Sequence, residues 1–133
     1  MRKIIYSTRP HHQRLGPGEM NLTEARYARY LETLRMAGEI ISWHFEDHAL
    51  LLSHNVKGGR NGSSYTPDFR VRIADGEGVR VEFHDCKGYS AKEHGPWIEP
   101  DAREKIKQAA ELYPDYLFVV VWEERKIWMR REY

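Results

Sequence analysis

The chain has 133 residues, with 21 Lys and Arg against 20 Asp and Glu and a formal net charge of +1. That length suits one domain and can bury roughly two-thirds of the unfolded surface without disulfides. The near-balanced charge gives no overall sign of nucleic-acid binding, and the lone cysteine, Cys86, excludes an internal disulfide and suits a reducing compartment. The first ten residues lack an apolar run of signal-peptide length. No apolar stretch approaches the ~20 residues of a membrane helix. The expectation is a soluble, cytoplasmic protein.

Residues 1–20 hold Pro10, Gly16, Pro17 and Gly18 and read as an extended arm, made basic by Arg9, His11, His12 and Arg14. Asn21 and Glu24 fit a capping box, and Ala25, Ala28 and Leu31 follow at helical spacing, which predicts a helix over about 22–37 stopped by Gly38. Residues 40–46 and 49–54 are short candidate strands. The loop KGGRNGSS follows; its Lys57 and Arg60, like the basic arm, could touch phosphates or be ordinary solvated charges.

Over 65–73, Phe69, Val71 and Ile73 alternate with Asp68, Arg70 and Arg72, as in a half-buried strand. Asp75-Gly76-Glu77-Gly78 reads as a hairpin turn into a second alternating strand, 79–87. An irregular loop spans 88–100, and a helix over about 101–112 ends before Pro114. The apolar run 116–122 reads as a buried central strand, and 126–131 returns after a turn. This order predicts an α/β domain with a mixed central sheet flanked by helices.

The chemistry lies at the hairpin. Pairing its strands brings Asp68 and Asp85 to one end of the sheet, and Lys87 leaves the same pleat face as Asp85. Two carboxylates and a lysine suit phosphodiester hydrolysis. Mg²⁺ prefers oxygen ligands and keeps several waters, so two carboxylates hold it without filling its shell. Lys87 can hold the attacking water or neutralise charge on the phosphate. The backbone carbonyl of Cys86 can add a metal ligand, and Gly88 lets substrate come close.

Tyr65-Thr66-Pro67-Asp68-Phe69 followed by Asp85-Cys86-Lys87-Gly88 resembles the PD-(D/E)XK nuclease signature. The form is similar to small phage- and prophage-encoded members, archaeal Holliday-junction resolvases and transposon-end endonucleases. The resemblance extends over about residues 22–122. It implies a restriction-endonuclease-like core and a DNA endonuclease using Mg²⁺, with Mn²⁺ as a substitute. It also implies that Glu24, on the first helix, is a third metal-binding acid. The capping box alone explains Glu24 equally well. Glu82 falls on the opposite pleat face from Asp85 and is not counted as a ligand.

Lys105 and Gln108, three apart on the second helix, are candidates for the scissile phosphate, with Lys107 nearby. Trp97 is a candidate for stacking on DNA, and His84, beside Asp85, for touching it. The seven histidines show no zinc-finger spacing. A single small domain favours shape-directed cutting, with branched DNA as a candidate substrate, or cutting by a homodimer that presents two centres to two strands. The alternatives are a catalytically silent nucleic-acid-binding or assembly protein, and a ribonuclease.

Overall fold

The computed structural model describes residues 5–6, 18–53 and 63–133. Arg9, His11, His12, Arg14, His54, Lys57 and Arg60 lie outside the described residues. In chain order the elements are β1 (Ile5–Tyr6), β2 (Glu19–Met20), α1 (Leu22–Met36), β3 (Ser42–Phe45), β4 (Leu50–Leu51), β5 (Ser64–Tyr65), β6 (Phe69–Asp75), β7 (Gly78–Cys86), β8 (Tyr89–Ser90), β9 (Gly95–Pro96), α2 (Pro100–Leu112), β10 (Leu117–Glu124) and β11 (Ile127–Glu132).

A five-stranded sheet has the order β11-β10-β7-β6-β3. β7 and β10 run parallel and the other pairs antiparallel, so the sheet is mixed. The parallel pair needs a crossover, which α2 supplies. Each helix covers one face. Ala25, Ala28 and Leu31 of α1 pack with Phe69, Val71, Val119 and Val121. Ile106 and Ala109 of α2 pack with Phe83, Phe118, Val120 and Trp122. Alternate residues of β10 thus serve opposite cores, which accounts for its unbroken apolar run. None of the described helices is long and apolar enough to cross a membrane.

Several boundaries differ from the sequence reading. Residues 65–73 do not form one strand: Tyr65 belongs to β5, which pairs with β4 outside the main sheet, and Pro67 separates it from β6. Pro67 has no N–H to donate to a ladder, so the strand begins after it. The strand expected over 49–54 is only β4, and the loop 88–100 contains the β8–β9 ribbon. The arm is not simply extended, since β1 pairs in parallel with β2.

Helix α1 is pinned at two points in its first two turns. At its start, Glu24 N–H donates to Asn21 Oδ1 at 2.8 Å and Asn21 N–H donates to Glu24 Oε1 at 2.9 Å. One turn later the Tyr27 hydroxyl meets His84 Nδ1 at 2.6 Å, and His84 Nε2 meets Glu82 Oε1 at 2.8 Å. A carboxylate only accepts, so Nε2–H donates and neutral Nδ1 accepts from tyrosine. Burial keeps His84 below its ordinary pKa, in accord with that neutral ring. Arg80 and Arg130 close the chain on Glu82 at 3.0 and 3.3 Å.

Burial pushes the Glu82 pKa up, but His84, Arg130 and Arg80 outweigh it and hold the group at about 2, below the ordinary 4.5. A carboxylate with a lowered folded-state pKa stabilises the fold above its unfolded value and loses that contribution as pH falls through the folded one. Urea unfolding at a series of pH values is therefore expected to show wild-type stability falling more steeply than that of Glu82→Gln between about pH 4.5 and about pH 2. Parallel pH curves for the two proteins would contradict this assignment.

Candidate metal centre

Three carboxylates end three adjacent strands in one cross-strand row. The β3–β6 register pairs Phe45 with Phe69, and one residue further on Glu46 N–H donates to the Asp68 carbonyl at 2.8 Å. The β6–β7 register pairs Phe69 with His84, so Asp68 and Asp85 face each other at the next step. Side chains replace the ladder there. Asp68 N–H donates to Asp85 Oδ1 at 3.0 Å, and Cys86 N–H donates to Asp68 Oδ2 at 2.8 Å. Asp68 is the middle of the row. Glu46 has a φ of 46°, which turns the chain out of the sheet at that point.

Glu24 completes the cluster from α1. Carboxylate oxygens of Glu24, Glu46 and Asp68 lie within 4.8 Å of one another. The capping box engages one Glu24 oxygen and leaves the second for another partner, so the cap and a metal role are compatible. Glu24 stands in the first helical turn, where the helix dipole favours negative charge. Asp85 is held differently. Its Oδ2 accepts from the Tyr65 hydroxyl, and its Oδ1 from the Asp68 amide.

The charges are crowded. Burial, then Asp85 and Glu24, push the Asp68 pKa well above the carboxylate range, against the opposing pull of Lys87 and the Cys86 N–H. Glu46 is raised by burial and by Glu24, with the Gly18 N–H opposing. Burial and the neighbouring Asp85 also raise the Tyr65 phenol, which keeps it a hydrogen-bond donor. Burial and mutual repulsion thus disfavour ionisation at Asp68 and Glu46.

Comparison with protein-family models, with curated proteins and with solved structures finds no match.

Of the residues expected from sequence, Asp68, Asp85, Glu24 and Lys87 do converge. Lys87 is half-buried, its backbone N–H donates to the Val121 carbonyl at 2.9 Å, and its charge acts on Asp68. Cys86 contributes its amide to the site, while its thiol lies in the core. Lys105 and Gln108 are exposed on α2, with no hydrogen bond or ion pair to the cluster among the described residues. Trp97 is exposed. His84 is buried against Tyr27 and Glu82, so the expectation that it reaches DNA is corrected: it ties α1 to β7 from the far face.

Sequence reasoning passed over Glu46 and Tyr65. Glu46 closed the expected strand 40–46 on the polar side of its alternation, together with Ser42 and His44, and that parity was the available signal. Tyr65 stood in the quoted motif without a role.

An acid whose folded-state pKa is raised weakens the fold above its unfolded pKa, since the folded site resists ionisation. In chelator at pH 7.5, Asp68→Asn is therefore expected to raise the melting temperature by about 2–6 °C, because the amide oxygen can still accept from Cys86. Mn²⁺ is expected to raise the melting temperature of wild type but not of the variant. A variant less stable than wild type in chelator would oppose this reading.

Proposed function

We propose that the protein is a Mg²⁺-dependent endodeoxyribonuclease with a restriction-endonuclease-like core. The observation that carries the reading is Asp68, held in mid-row by the Glu46 N–H on its carbonyl, by its own N–H on the Asp85 carboxylate and by the Cys86 N–H on its carboxylate, with Glu24 and Lys87 acting on it. Support from the fold is the mixed five-stranded sheet with a helix on each face.

The donor set fits a hard divalent ion. It is all oxygen, and one carboxylate oxygen from each of three acids lies within 4.8 Å of the others, close enough to turn toward a shared ion. Glu24, Glu46 and Asp68 would hold the ion, with Asp85 and the Cys86 carbonyl as neighbouring ligands. Bound there, the ion would polarise a phosphodiester oxygen and acidify a water. The chain's own groups do the rest. Lys87 orients the water or offsets charge building on the phosphate. Tyr65 and the Asp68 amide fix the direction of the Asp85 carboxylate. Gly88 leaves room beside Lys87, since a Cβ there would meet nothing within 4 Å. Lys105 and Gln108 remain candidates for more distant phosphates. A cytoplasmic homodimer would place two such centres on two strands.

The test is nicking of supercoiled plasmid by purified protein with Mg²⁺ or Mn²⁺. Wild type is expected to convert plasmid to open circles and chelator to stop it. Asp85→Asn and Lys87→Ala are each expected to slow the reaction by about 100-fold or more. Wild type inert with both metals would overturn the proposal, as would an Asp85→Asn variant as fast as wild type.

A further inference from the structure

The two edges of the main sheet are finished differently. β3, at one edge, is four residues long and ends where Glu46 turns out at a φ of 46°. β11, at the other edge, runs six residues, pairs with β10 along its whole length without a bulge, and contains neither Pro nor Gly. Proteins commonly guard an edge with such breaks, because its free N–H and C=O groups template another strand. No described strand pairs with the outer side of β11. The charges on it are no free guard either. Arg130 is paired with Glu82 and Glu132 at 3.3 and 3.4 Å, and the Arg131 guanidinium lies 5.5 Å from the centre of the Trp122 ring. Between them and the turn stand two exposed apolar side chains, Ile127 and Met129.

The register shows which backbone groups are open. Tyr133 N–H donates to the Phe118 carbonyl at 2.9 Å, one step beyond the pair of Val119 and Glu132. Backbone direction alternates along an antiparallel strand, so residues 127, 129 and 131 also turn to β10. Trp128, Arg130 and Glu132 therefore offer their N–H and C=O groups outward. A second copy of β11 can meet them antiparallel about a two-fold axis, provided the axis falls on a residue, so that outward groups face outward groups. An axis at Trp128 sets Arg130 against Lys126. An axis at Arg130 or at Arg131 sets that arginine against its own copy. Like charges directly opposite destabilise a pair of strands. An axis at Met129 avoids all three. Met129 then meets its own copy in a non-hydrogen-bonded pair, where side chains approach closest. Trp128 faces Arg130 across shared backbone bonds, a cation–π pairing, Ile127 faces the aliphatic stem of Arg131, and Lys126 faces Glu132.

We propose that two copies of the chain pair antiparallel through β11, with Met129 on the two-fold axis, and join their sheets into one. The occupant is the chain itself because the edge is complementary to its own sequence in that register, in charge and in hydrogen-bonding groups. The interface stands on the edge alone, and only its consequence rests on the nuclease reading. A two-fold axis through paired edges is perpendicular to the sheet, so both carboxylate rows lie on one continuous sheet. The two copies of β6 are then separated by about seven interstrand steps of roughly 4.8 Å, or ~34 Å across the strands, close to one turn of duplex DNA.

The test reads oligomeric state and register together. Sedimentation velocity of the full chain at about 100 µM detects dissociation constants well into the micromolar range. Wild type is expected at about twice the 15.8 kDa mass of one chain. Met129→Lys sets like charges on the axis and is expected to sediment as a monomer with an unchanged circular-dichroism spectrum. Met129→Cys brings its Cα atoms to about 4.5 Å, within disulfide reach, and is expected to form a cross-linked dimer on mild oxidation. Arg131→Cys, whose Cα atoms would stand roughly 14 Å apart, is expected not to. Cys86 is 1% exposed and does not compete. A wild-type monomer at that concentration would overturn the proposal, as would a dimer that survives Met129→Lys or cross-links through position 131 and not 129. Plasmid nicking is read separately. A dimer linked through position 129 that does not nick supports the interface and removes the nuclease, while a monomer that nicks does the reverse.

Discussion

Asp68 and Asp85 repel each other, and the fold holds them together with backbone amides. The hydrogen bonds that continue the β6–β7 pairing beyond its last backbone rung run from an amide to a carboxylate in each direction. Such charge-assisted bonds are stronger than ordinary ladder bonds. They fix the direction of each carboxylate from backbone at the end of the β6–β7 pairing. The carboxylates meet while the backbone stays satisfied, and what remains unfavourable is charge against charge.

The remainder of the structure supports that constraint from two sides of one strand. β7 sends Asp85 and Phe83 toward the α2 side and Glu82 and His84 toward α1. On the α1 side, Tyr27, His84 and Glu82 form a buried chain of polar contacts that fixes the helix against the strand. Glu24 lies three residues before Tyr27, so the same contact governs how far the helix acid stands from the sheet acids. Removing one member of such a buried network leaves others unpaired at low dielectric, and the loss exceeds that of one hydrogen bond. Structural and chemical demands therefore fall on adjacent residues of one strand without sharing a face.

The core elements were legible because their periodicities are strong. The capping box at Asn21 and Glu24, the alternation of β6 and β7, and the turn at Gly76 each have a local cause. Asp68, Asp85 and Lys87 could be placed together because a two-residue turn fixes the register of a hairpin. Glu46 could not be placed so, since β3 joins β6 across an intervening segment and its register is a long-range matter. The return into β11 was legible from the apolar pattern, although Arg125 and Lys126 make the turn at positive φ, a conformation usually signalled by Asn or Gly. His84 misled because a histidine beside an acid suggests chemistry, while one of its two buried partners, Tyr27, comes from a helix nearly sixty positions away. Pro67 showed where β6 begins only once its missing amide is weighed against the alternation that runs past it.

The central claim is that the carboxylate row at the ends of β3, β6 and β7 grips a divalent cation. A crystal grown with Mn²⁺ and measured at the manganese absorption edge tests it most directly. The account predicts an anomalous peak roughly 2.2 Å from carboxylate oxygens of Asp68 and at least one of Glu24, Glu46 and Asp85. Crystals saturated with Mn²⁺ that show no peak there, or show the ion only at unrelated surface acids, would contradict it.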